Sequence, residues 1–196
     1  MRNSELTKET ILKKSSILFN TIGYKSTSIS KITEATCFTK GAIYRHFESK
    51  EILEMESFQY LVNIMSEKVG KLIKDQPDAL SKLKAVFKFF ETYITNPPFK
   101  GGCPILNVAI EVDDSNSQLR KEAVKSLKIL KDSVEKILEK GIKYKQISQT
   151  TDVKYFATII VASLEGALMM SRLNKNSADI KCVINHLESV LDNIKI

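Results

Sequence analysis

The residues with the most distinctive chemistry lie in one short stretch, CFTKGAIYRHFESKE, residues 37–51. It places two aromatic side chains three residues apart, Tyr44 and Phe47, among four basic or imidazole side chains: Lys40, Arg45, His46 and Lys50. When an apolar residue fixes one face of a helix in the core, cations on the opposite face are suited to binding phosphate groups. A core helix would not need the charges, and a fully solvated helix would not need the rings.

The rest of the sequence offers little for catalysis or metal binding. Only two histidines occur, His46 in that stretch and His186 near the end of the chain. The sequence shows no Ser-His-Asp set, phosphate-cradling glycine loop or metal-ligand spacing. The cysteines, Cys37, Cys103 and Cys182, are far apart and form no CxxC pair, which is typical of a reducing cytoplasm. We therefore predict a protein that is not an enzyme and uses no metal or cofactor.

The positive charge is concentrated in the first quarter of the chain. Residues 1–50 hold nine Lys or Arg against four Asp or Glu, a net charge of +5. Residues 51–196 hold 21 against 19, a net charge of +2. A small basic region joined to a nearly neutral one favours a polyanionic partner. The alternative is that the lysines serve only solubility.

Helical patterns run through almost the whole chain. Seven glycines and four prolines in 196 residues are too few for a turn-rich β fold, and the length suits one or two domains. Apolar spacings of three and four predict a first helix from about Lys8 to Ile22, with Thr7 as its cap and Gly23 at its end. Further helices are predicted at residues 28–35, with Ser28 as the cap, at 39–46, again with a hydroxyl cap from Thr39, and at about 50–74.

The second and third helices form a helix-turn-helix arrangement at about residues 28–47. In such a motif the later helix needs an anchored inner face and a polar, basic outer face. Ile43 and Phe47, four apart, can provide the anchor. The small residues Gly41 and Ala42 would let the backbone approach a DNA groove. We therefore interpret this helix as the one that reads DNA.

Several side chains on and beside this helix have the chemistry for binding phosphate. Thr39 and Lys40 lie where free amides and the positive helix end favour an anion. Tyr44 offers a hydroxyl beside the anchor, and Lys50 begins the next helix. Arg45 is suited to either a base edge or a phosphate.

Residues 11–53 resemble the DNA-binding domain of TetR-family transcriptional regulators. The matching features are an Ile-Leu to Leu-Phe apolar face, Gly23-Tyr24, Thr27-Ser28, Thr39-Lys40-Gly41 and Tyr44-x-His46-Phe47-x-Ser49-Lys50-Glu51. With this resemblance, the predicted DNA-binding residues are Thr27, Ser28, Thr39, Lys40, Gly41, Ala42, Tyr44, Arg45, His46 and Lys50.

One residue departs from the family pattern. The family usually has glycine in the turn between the second and third helices, and this chain has Cys37 there. A residue with a Cβ resists the positive φ that glycine adopts freely. Either the turn is remodelled or it tolerates the strain. We expect the Cys37 thiol to be a buried or half-buried structural group rather than a sensor.

The resemblance also implies the fold and the assembly. It implies an all-α chain of about nine helices, with a DNA-binding domain at residues 1–50 and a larger ligand-binding and dimerisation domain at 51–196. The segment Tyr155–Leu173 is apolar nearly all round, and the last helix repeats apolar residues at threes and fours. These last two helices are predicted to form a homodimer through a four-helix bundle, or alternatively to serve only the monomer's core. We expect no signal peptide and no membrane span, because the longest apolar run ends at Glu165.

The implied effector pocket is assigned to mostly apolar residues, although such stripes also form plain core. They are Phe58, Leu61, Val62, Met65, Phe87, Phe90, Cys103, Asn107 and Met169. Cys103 precedes Pro104, which suits the first turn of a helix, so the helix end and Lys100 would stabilise its thiolate for sensing electrophiles or oxidants. The alternative is that Cys103 is a small apolar cap packed under its loop. Asn107 either bonds the backbone or faces a ligand.

Together these features predict a cytoplasmic homodimeric repressor on a partly palindromic, double-stranded operator. An unknown small apolar or electrophilic effector would release it. Ligand contacts along the fourth helix would tilt that helix and change the separation of the two recognition helices. The alternative is a DNA-binding protein without an effector, either a regulator of fixed occupancy or an architectural protein.

Overall fold

The computed structural model describes residues 2–112 and 117–196 of the 196-residue chain. Nine α-helices lie within these residues. They are α1 (Arg2–Ile22), α2 (Ile29–Thr36), α3 (Lys40–His46), α4 (Lys50–Lys74), α5 (Ala79–Thr92), α6 (Pro104–Glu111), α7 (Ser117–Lys143), α8 (Val153–Leu173) and α9 (Ala178–Ile194). The only β pairing in these two ranges is an isolated antiparallel bridge between Ile147 and Lys195. The prediction of an all-α fold with about nine helices is confirmed.

The first helix begins earlier than the apolar pattern predicted. It starts at Arg2 rather than Lys8, so Thr7 lies inside the helix and is not its cap. No glycine or proline stands before Thr7 to force a later start. The predicted end is confirmed, because Gly23 follows with φ +100° and its amide donates to the Phe19 carbonyl at 3.0 Å.

The described residues form two compact units. The first unit contains the chain as far as Met65 together with Phe99–Ser126, and the second contains Ser66–Pro98 together with Leu127–Ile196. Each unit is therefore built from two segments, whereas the boundary predicted after residue 50 divides the chain in sequence order. Helix α6 belongs to the same unit as α1, α2 and α3.

The core of the first unit holds its three short helices together. Its fully buried side chains include Ile11, Phe19, Ile32, Ile43 and Phe47. Each side chain of this size contributes roughly 1.5–3 kcal/mol when it is removed from water. Since these residues come from α1, α2 and α3 and from the end of α3, the same core fixes the orientation of α3.

The second unit is built around α5, α8 and α9, which pack against one another. Its core includes Leu83, Phe87, Phe90, Ile160, Leu164, Leu168, Ile180, Leu187 and Leu191. Gly141 on α7 permits a close approach in this unit. A Cβ there would lie 2.5 Å from Ile147 Cδ1 and 2.8 Å from the Ala79 Cβ, so no larger residue fits without displacement.

By length and composition alone, α8 could cross a membrane. It has 21 residues, and an 18-residue window within it has a mean hydropathy of 1.5. The longest uninterrupted apolar run of this helix ends at Glu165, and the helix itself continues to Leu173. A core helix of a soluble protein passes the same test, so this property is weak evidence for a membrane span.

Candidate nucleic-acid interface

Both helices of the helix-turn-helix begin at a hydroxyl cap. Ser28 Oγ accepts a hydrogen bond from the Lys31 amide at 3.3 Å, and Thr39 Oγ1 accepts one from the Ala42 amide at 3.2 Å. Each bond satisfies a first-turn amide that has no partner within its helix. The caps therefore determine where α2 and α3 begin, as the sequence predicted.

The turn between α2 and α3 is left-handed although its residue is not glycine. Cys37 has φ 62° and ψ 20°, and its amide donates to the Thr33 carbonyl at 2.8 Å. This conformation costs a residue with a Cβ roughly 1 kcal/mol. Of the two alternatives, the turn tolerates the strain. The expectation of a buried thiol is wrong, because Cys37 closes α2 at the protein surface and its side chain is exposed.

The inner face of α3 is anchored in the core of the first unit. Ile43 and Phe47 are both fully buried, as their spacing predicted. Lys8 Nζ lies 5.2 Å from the centroid of the Phe47 ring, a distance at which a cation is attracted to an aromatic face. Rotation or displacement of α3 would expose these rings and methyl groups to water, so the helix has a defined orientation.

The outer face of α3 presents cations and small residues. Its exposed residues, which we call the α3 surface, are Lys40, Gly41, Tyr44 and Arg45. Ala42 and His46 are half-buried, and Tyr44 is 46% exposed. Among residues 2–112 and 117–196, no carboxylate lies within 4.0 Å of the Lys40 or Arg45 cations. These two charges are therefore available to an external anion.

Besides the capping residues Ser28 and Thr39, two further predicted DNA-binding residues make contacts inside the protein. Thr27 is fully buried, and its Oγ1 donates to the Gly23 carbonyl at 2.6 Å. Lys50 Nζ donates to the Tyr24 carbonyl at 2.9 Å and lies 3.1 Å from Glu54 Oε1. Both residues support the turn between α1 and α2. Direct DNA contacts by the ten predicted residues remain predictions.

A contact that the sequence did not predict joins α1 to the segment before α6, within the first unit. Asn20 Nδ2 donates to the carbonyls of Lys100 and Gly102, each at 2.9 Å. Asn107 Nδ2 donates to Asn20 Oδ1 at 2.9 Å and to the Gly101 carbonyl at 2.8 Å. We call this set of residues the asparagine clasp. It attaches α6 and its preceding loop to α1, which packs against the helix-turn-helix.

The asparagine clasp depends on the conformation of one glycine. Gly101 has φ +102°, and a Cβ there would lie 2.3 Å from the Asn20 carbonyl oxygen. Of the two alternatives for Asn107, the structure shows bonding to the backbone and to Asn20. The sequence signals that could have indicated the clasp are a polar residue directly after Phe19 on an apolar face and the Gly101-Gly102 pair.

A second contact joins α6 to the turn after α1. Glu111 Oε1 accepts a hydrogen bond from the Lys25 amide at 2.7 Å and lies 2.8 Å from the place of a Gly23 Cβ. Tyr24, which lies between Gly23 and Lys25 in the sequence, is 3% exposed. Burial, reinforced by the Glu54 and Glu111 carboxylates, raises the pKa of the Tyr24 phenol above its usual value, so the ring remains neutral.

The residues predicted to form the effector pocket are divided between the two units. The first unit contains Phe58, Leu61, Val62, Met65, Cys103 and Asn107, and the second contains Phe87, Phe90 and Met169. Most of these side chains are buried or half-buried, which suits plain core as well as a pocket. Met169 differs, because it is exposed on α8.

Cys103 has the position that the sequence predicted. It is the N-cap residue of α6, and Pro104 occupies the first turn. Its side chain is only 1% exposed. Because a thiolate must be accessible in order to react, this burial favours the alternative of a small packing residue over that of a sensor.

A capped helix, a tight turn and an anchored helix with a cationic outer face define a helix-turn-helix DNA-binding protein. Residues 11–53 match the family model of bacterial regulatory proteins of the tetR family. Residues 79–187 match the model of the tetracyclin repressor-like C-terminal domain. The chain belongs to the TetR family of transcriptional regulators, and it is a DNA-binding regulator of transcription.

Three known proteins illustrate the relationship. A TetR transcriptional regulator from Chloroflexus aurantiacus J-10-FL, known from its crystal structure, is 33% identical, with a TM-score of 0.95 over 100% of this chain and 98% of that one. The HTH-type transcriptional repressor DhaR of Mycobacterium sp. (strain GP1) is 22% identical over 166 residues, 85% of this chain and 82% of DhaR. The regulator CifR, solved as a cysteine mutant on 26-bp operator DNA, is 18% identical and shares the fold, with a TM-score of 0.84 over 92% and 94% of the two chains.

Proposed function

We propose that this regulator is a homodimeric repressor that binds a partly palindromic operator through α3 and leaves it when an effector acts. The α3 surface carries the proposal, because Lys40 and Arg45 lie exposed on a helix that Ile43 and Phe47 hold in place. Lys40 and Tyr44 would bind phosphates, and Arg45 a base edge or a phosphate. The site of action would be the cytoplasm, because the proposed partner is operator DNA.

The dimer would form through α8 and α9. Five exposed apolar side chains lie along one side of α8, with a gap between the second and the third: Tyr155, Ile159, Met169, Met170 and Leu173. We call them the α8 stripe. Gly166 lies in the gap, and in the described part of the chain no atom of another element is within 4 Å of the place of its Cβ. A second α8 could approach closely there and bury the stripe, which accounts for its apolar character without a membrane.

Release of the operator would proceed through α6. The asparagine clasp and the bond from the Lys25 amide to Glu111 tie both ends of α6 to α1 and to the turn after it. An effector that binds better to a conformation with α6 displaced would weaken these bonds and shift α1 together with the recognition helix. Tilting of α4 through ligand contacts near Phe58 or Met65 would act on the same unit.

Covalent modification of Cys103 is the second candidate for effector action. The carbonyl of its neighbour Gly102 accepts a bond from Asn20, so an adduct on the thiol would displace a member of the asparagine clasp. Because Cys103 is buried, the loop must open before an electrophile can reach it. Brief alkylation with iodoacetamide tests this. We expect exposed Cys37 and Cys182 to react first, whereas faster labelling of Cys103 with loss of operator binding would favour the sensor.

Selection of bound fragments from random double-stranded DNA tests the proposed function. We expect enrichment of one inverted repeat whose half-sites lie about one helical turn, or a multiple of it, apart. Lys40→Ala should weaken binding to that repeat, whereas Lys68→Ala on α4 serves as a charge-matched control. Recovery of unrelated sequences with equal affinity would instead favour an architectural protein.

A second measurement separates an effector-controlled repressor from a regulator of fixed occupancy. The complex of the protein with the selected operator would be titrated with each member of a library of small apolar molecules and electrophiles, and operator affinity would be measured. We expect at least one compound to lower operator affinity by tenfold or more, because allosteric couplings are typically about 1–3 kcal/mol. Unchanged affinity across the library would favour the fixed-occupancy alternative.

A further inference from the structure

A groove of about 480 Å³ lies in the second compact unit, between the last turns of α4, the start of α5 and the last turns of α7. Its volume falls within the range of about 300–1,000 Å³ that is usual for small-molecule sites. Its apolar lining includes Ile73, Ala79 and Ile137. None of the residues predicted to bind an effector lines it.

Four lysines also line this groove: Lys74, Lys82, Lys136 and Lys140. No carboxylate of the described residues lies within 4.0 Å of any of these four ammonium groups. Other lysines of the same unit do pair with acids: Lys84 with Asp192, Lys88 with Glu91, and Lys128 with Asp132. We call the site the lysine groove. Its charges lack the local neutralisation that those lysines have.

Asp78 is the single carboxylate among the residues that line the lysine groove. It caps α5, where it accepts hydrogen bonds from the Ser81 amide at 2.7 Å and from Ser81 Oγ at 3.0 Å. These bonds hold the pKa of the Asp78 carboxyl below its usual value, so it is charged at neutral pH. Gln146 Oε1 accepts a hydrogen bond from the Ala79 amide at 2.9 Å. These first amides of α5 therefore already have hydrogen-bond partners within the protein. The attraction for an anion therefore comes from four lysines against one carboxylate.

Gly70 lines the lysine groove at a place where the space beside the helix is open. It lies inside α4, where glycine is less stable than alanine. Among the residues that the structure describes, no atom of another element lies within 4 Å of the place where its Cβ would stand, so close packing does not require glycine there. Gly141 is the opposite case, because a Cβ there would clash with Ile147 and Ala79. A large side chain at Gly70 would occupy space in the groove.

We propose that the lysine groove binds a small amphipathic anion, a molecule with an apolar body and one carboxylate. The apolar body would lie against Ile73 and Ile137, and the carboxylate would lie between Lys136 and Lys140. A neutral apolar molecule would leave the ammonium groups without a partner. A small hydrophilic anion would leave the apolar floor in contact with water. Only a molecule with both properties matches the two parts of the site.

Isothermal titration calorimetry of the full chain with decanoate and with decanol tests this proposal. We expect decanoate to bind, and decanol to bind at least about tenfold more weakly, because charge-assisted contacts are lost. Lys136→Gln/Lys140→Gln should lower decanoate affinity by about tenfold. The matched control is Lys68→Gln/Lys71→Gln, which removes the same charge from exposed positions of α4 outside the groove. That control should leave decanoate affinity unchanged.

Gly70→Phe tests the location by filling the groove. It should abolish binding of decanoate, and a thermal melt should show that the fold is retained. Absence of decanoate binding to the wild type, equal binding of decanol, or equal loss in both lysine pairs would overturn the proposal. No DNA enters these measurements, so their failure leaves the proposed repressor function untouched, and failure of operator binding leaves the lysine groove untouched.

Discussion

The α3 surface and the lysine groove are both cationic, yet their surroundings differ. On the α3 surface, Lys40 and Arg45 stand beside Gly41 on the exposed side of a short, anchored helix. In the lysine groove, four lysines surround an apolar floor between three helices. The first surface can lie against a rigid polyanion, and the second can enclose a small molecule. Positive charge thus indicates an anion, and the shape and polarity around the charge indicate which kind.

The largest effect on the α3 surface is expected from removing the buried side chain that anchors α3. Phe47→Ala should destabilise the first unit by about 3–5 kcal/mol and abolish operator binding, because a fully buried ring is replaced by a cavity. Urea unfolding and an operator-binding assay measure the two effects. Tyr44→Phe, which changes an exposed ring on the same helix, is the control for stability. Operator binding retained at wild-type affinity in Phe47→Ala would show that α3 does not need this anchor.

The caps and the anchor could be predicted from the sequence because their signals are local. Ser28 and Thr39 precede apolar residues at helical spacing, and Gly23 follows an apolar face. The apolar pattern predicts too late a start for α1, because Thr7 resembles a cap although the helix passes through it. Local spacing predicted the location of Cys103 but not whether its thiol is buried.

The asparagine clasp and the lysine groove could not be predicted in the same way. Asn20 and Asn107 are 87 residues apart in sequence, and no periodic pattern relates them. The lysines of the groove belong to three helices, and their lack of acidic partners depends on how those helices pack. Such features become visible only when the tertiary structure sets distances between remote residues.

Disruption of the dimer should affect binding at the two cationic sites differently. Met170→Lys/Leu173→Lys would place charges in the α8 stripe and convert the dimer into a monomer. Operator affinity should fall by about 100-fold or more, because both half-sites can no longer be bound together. Decanoate affinity should be unchanged, since the lysine groove lies within one chain. Size-exclusion chromatography with light scattering reports the assembly.

The control for this experiment is Gln149→Lys/Thr150→Lys, two exposed positions in the turn before α8. It adds the same charge and should leave the dimer intact. A dimer that persists in Met170→Lys/Leu173→Lys would place the interface elsewhere.

Removing single cations from the α3 surface should have an intermediate effect. Lys40→Ala should weaken operator binding by about tenfold and reduce the slope of log affinity against log salt by about one, because one phosphate contact is lost. Arg45→Ala should do the same if Arg45 binds phosphate. It should change the preferred operator sequence if Arg45 binds a base edge. An unchanged affinity and slope for Lys40→Ala would remove this residue from the interface.

The smallest expected effect comes from the carboxylate of the lysine groove. Asp78→Asn keeps a good helix cap and removes the negative charge, so decanoate affinity should rise by about two- to fivefold with little change in stability. Asp78→Ala also removes the charge but should cost about 1 kcal/mol through loss of the cap. Calorimetry and thermal melts distinguish the two variants. Weaker decanoate binding to Asp78→Asn would show that the carboxylate contributes to the ligand site.

The exposed, left-handed turn at Cys37 has a use in spectroscopy. In a Cys182→Ser variant, the exposed thiols of a dimer are the two Cys37 side chains, one on each turn preceding α3, since Cys103 is buried. Nitroxide labels at these positions would measure the distance between the two turns by pulsed electron paramagnetic resonance. On B-DNA the half-sites of such dimers lie about 34–36 Å apart, or multiples of this distance. The label on this turn therefore reports the separation of the two recognition helices. A shift in the distribution of distances between the two labels would show when the recognition helices leave the spacing that the operator requires.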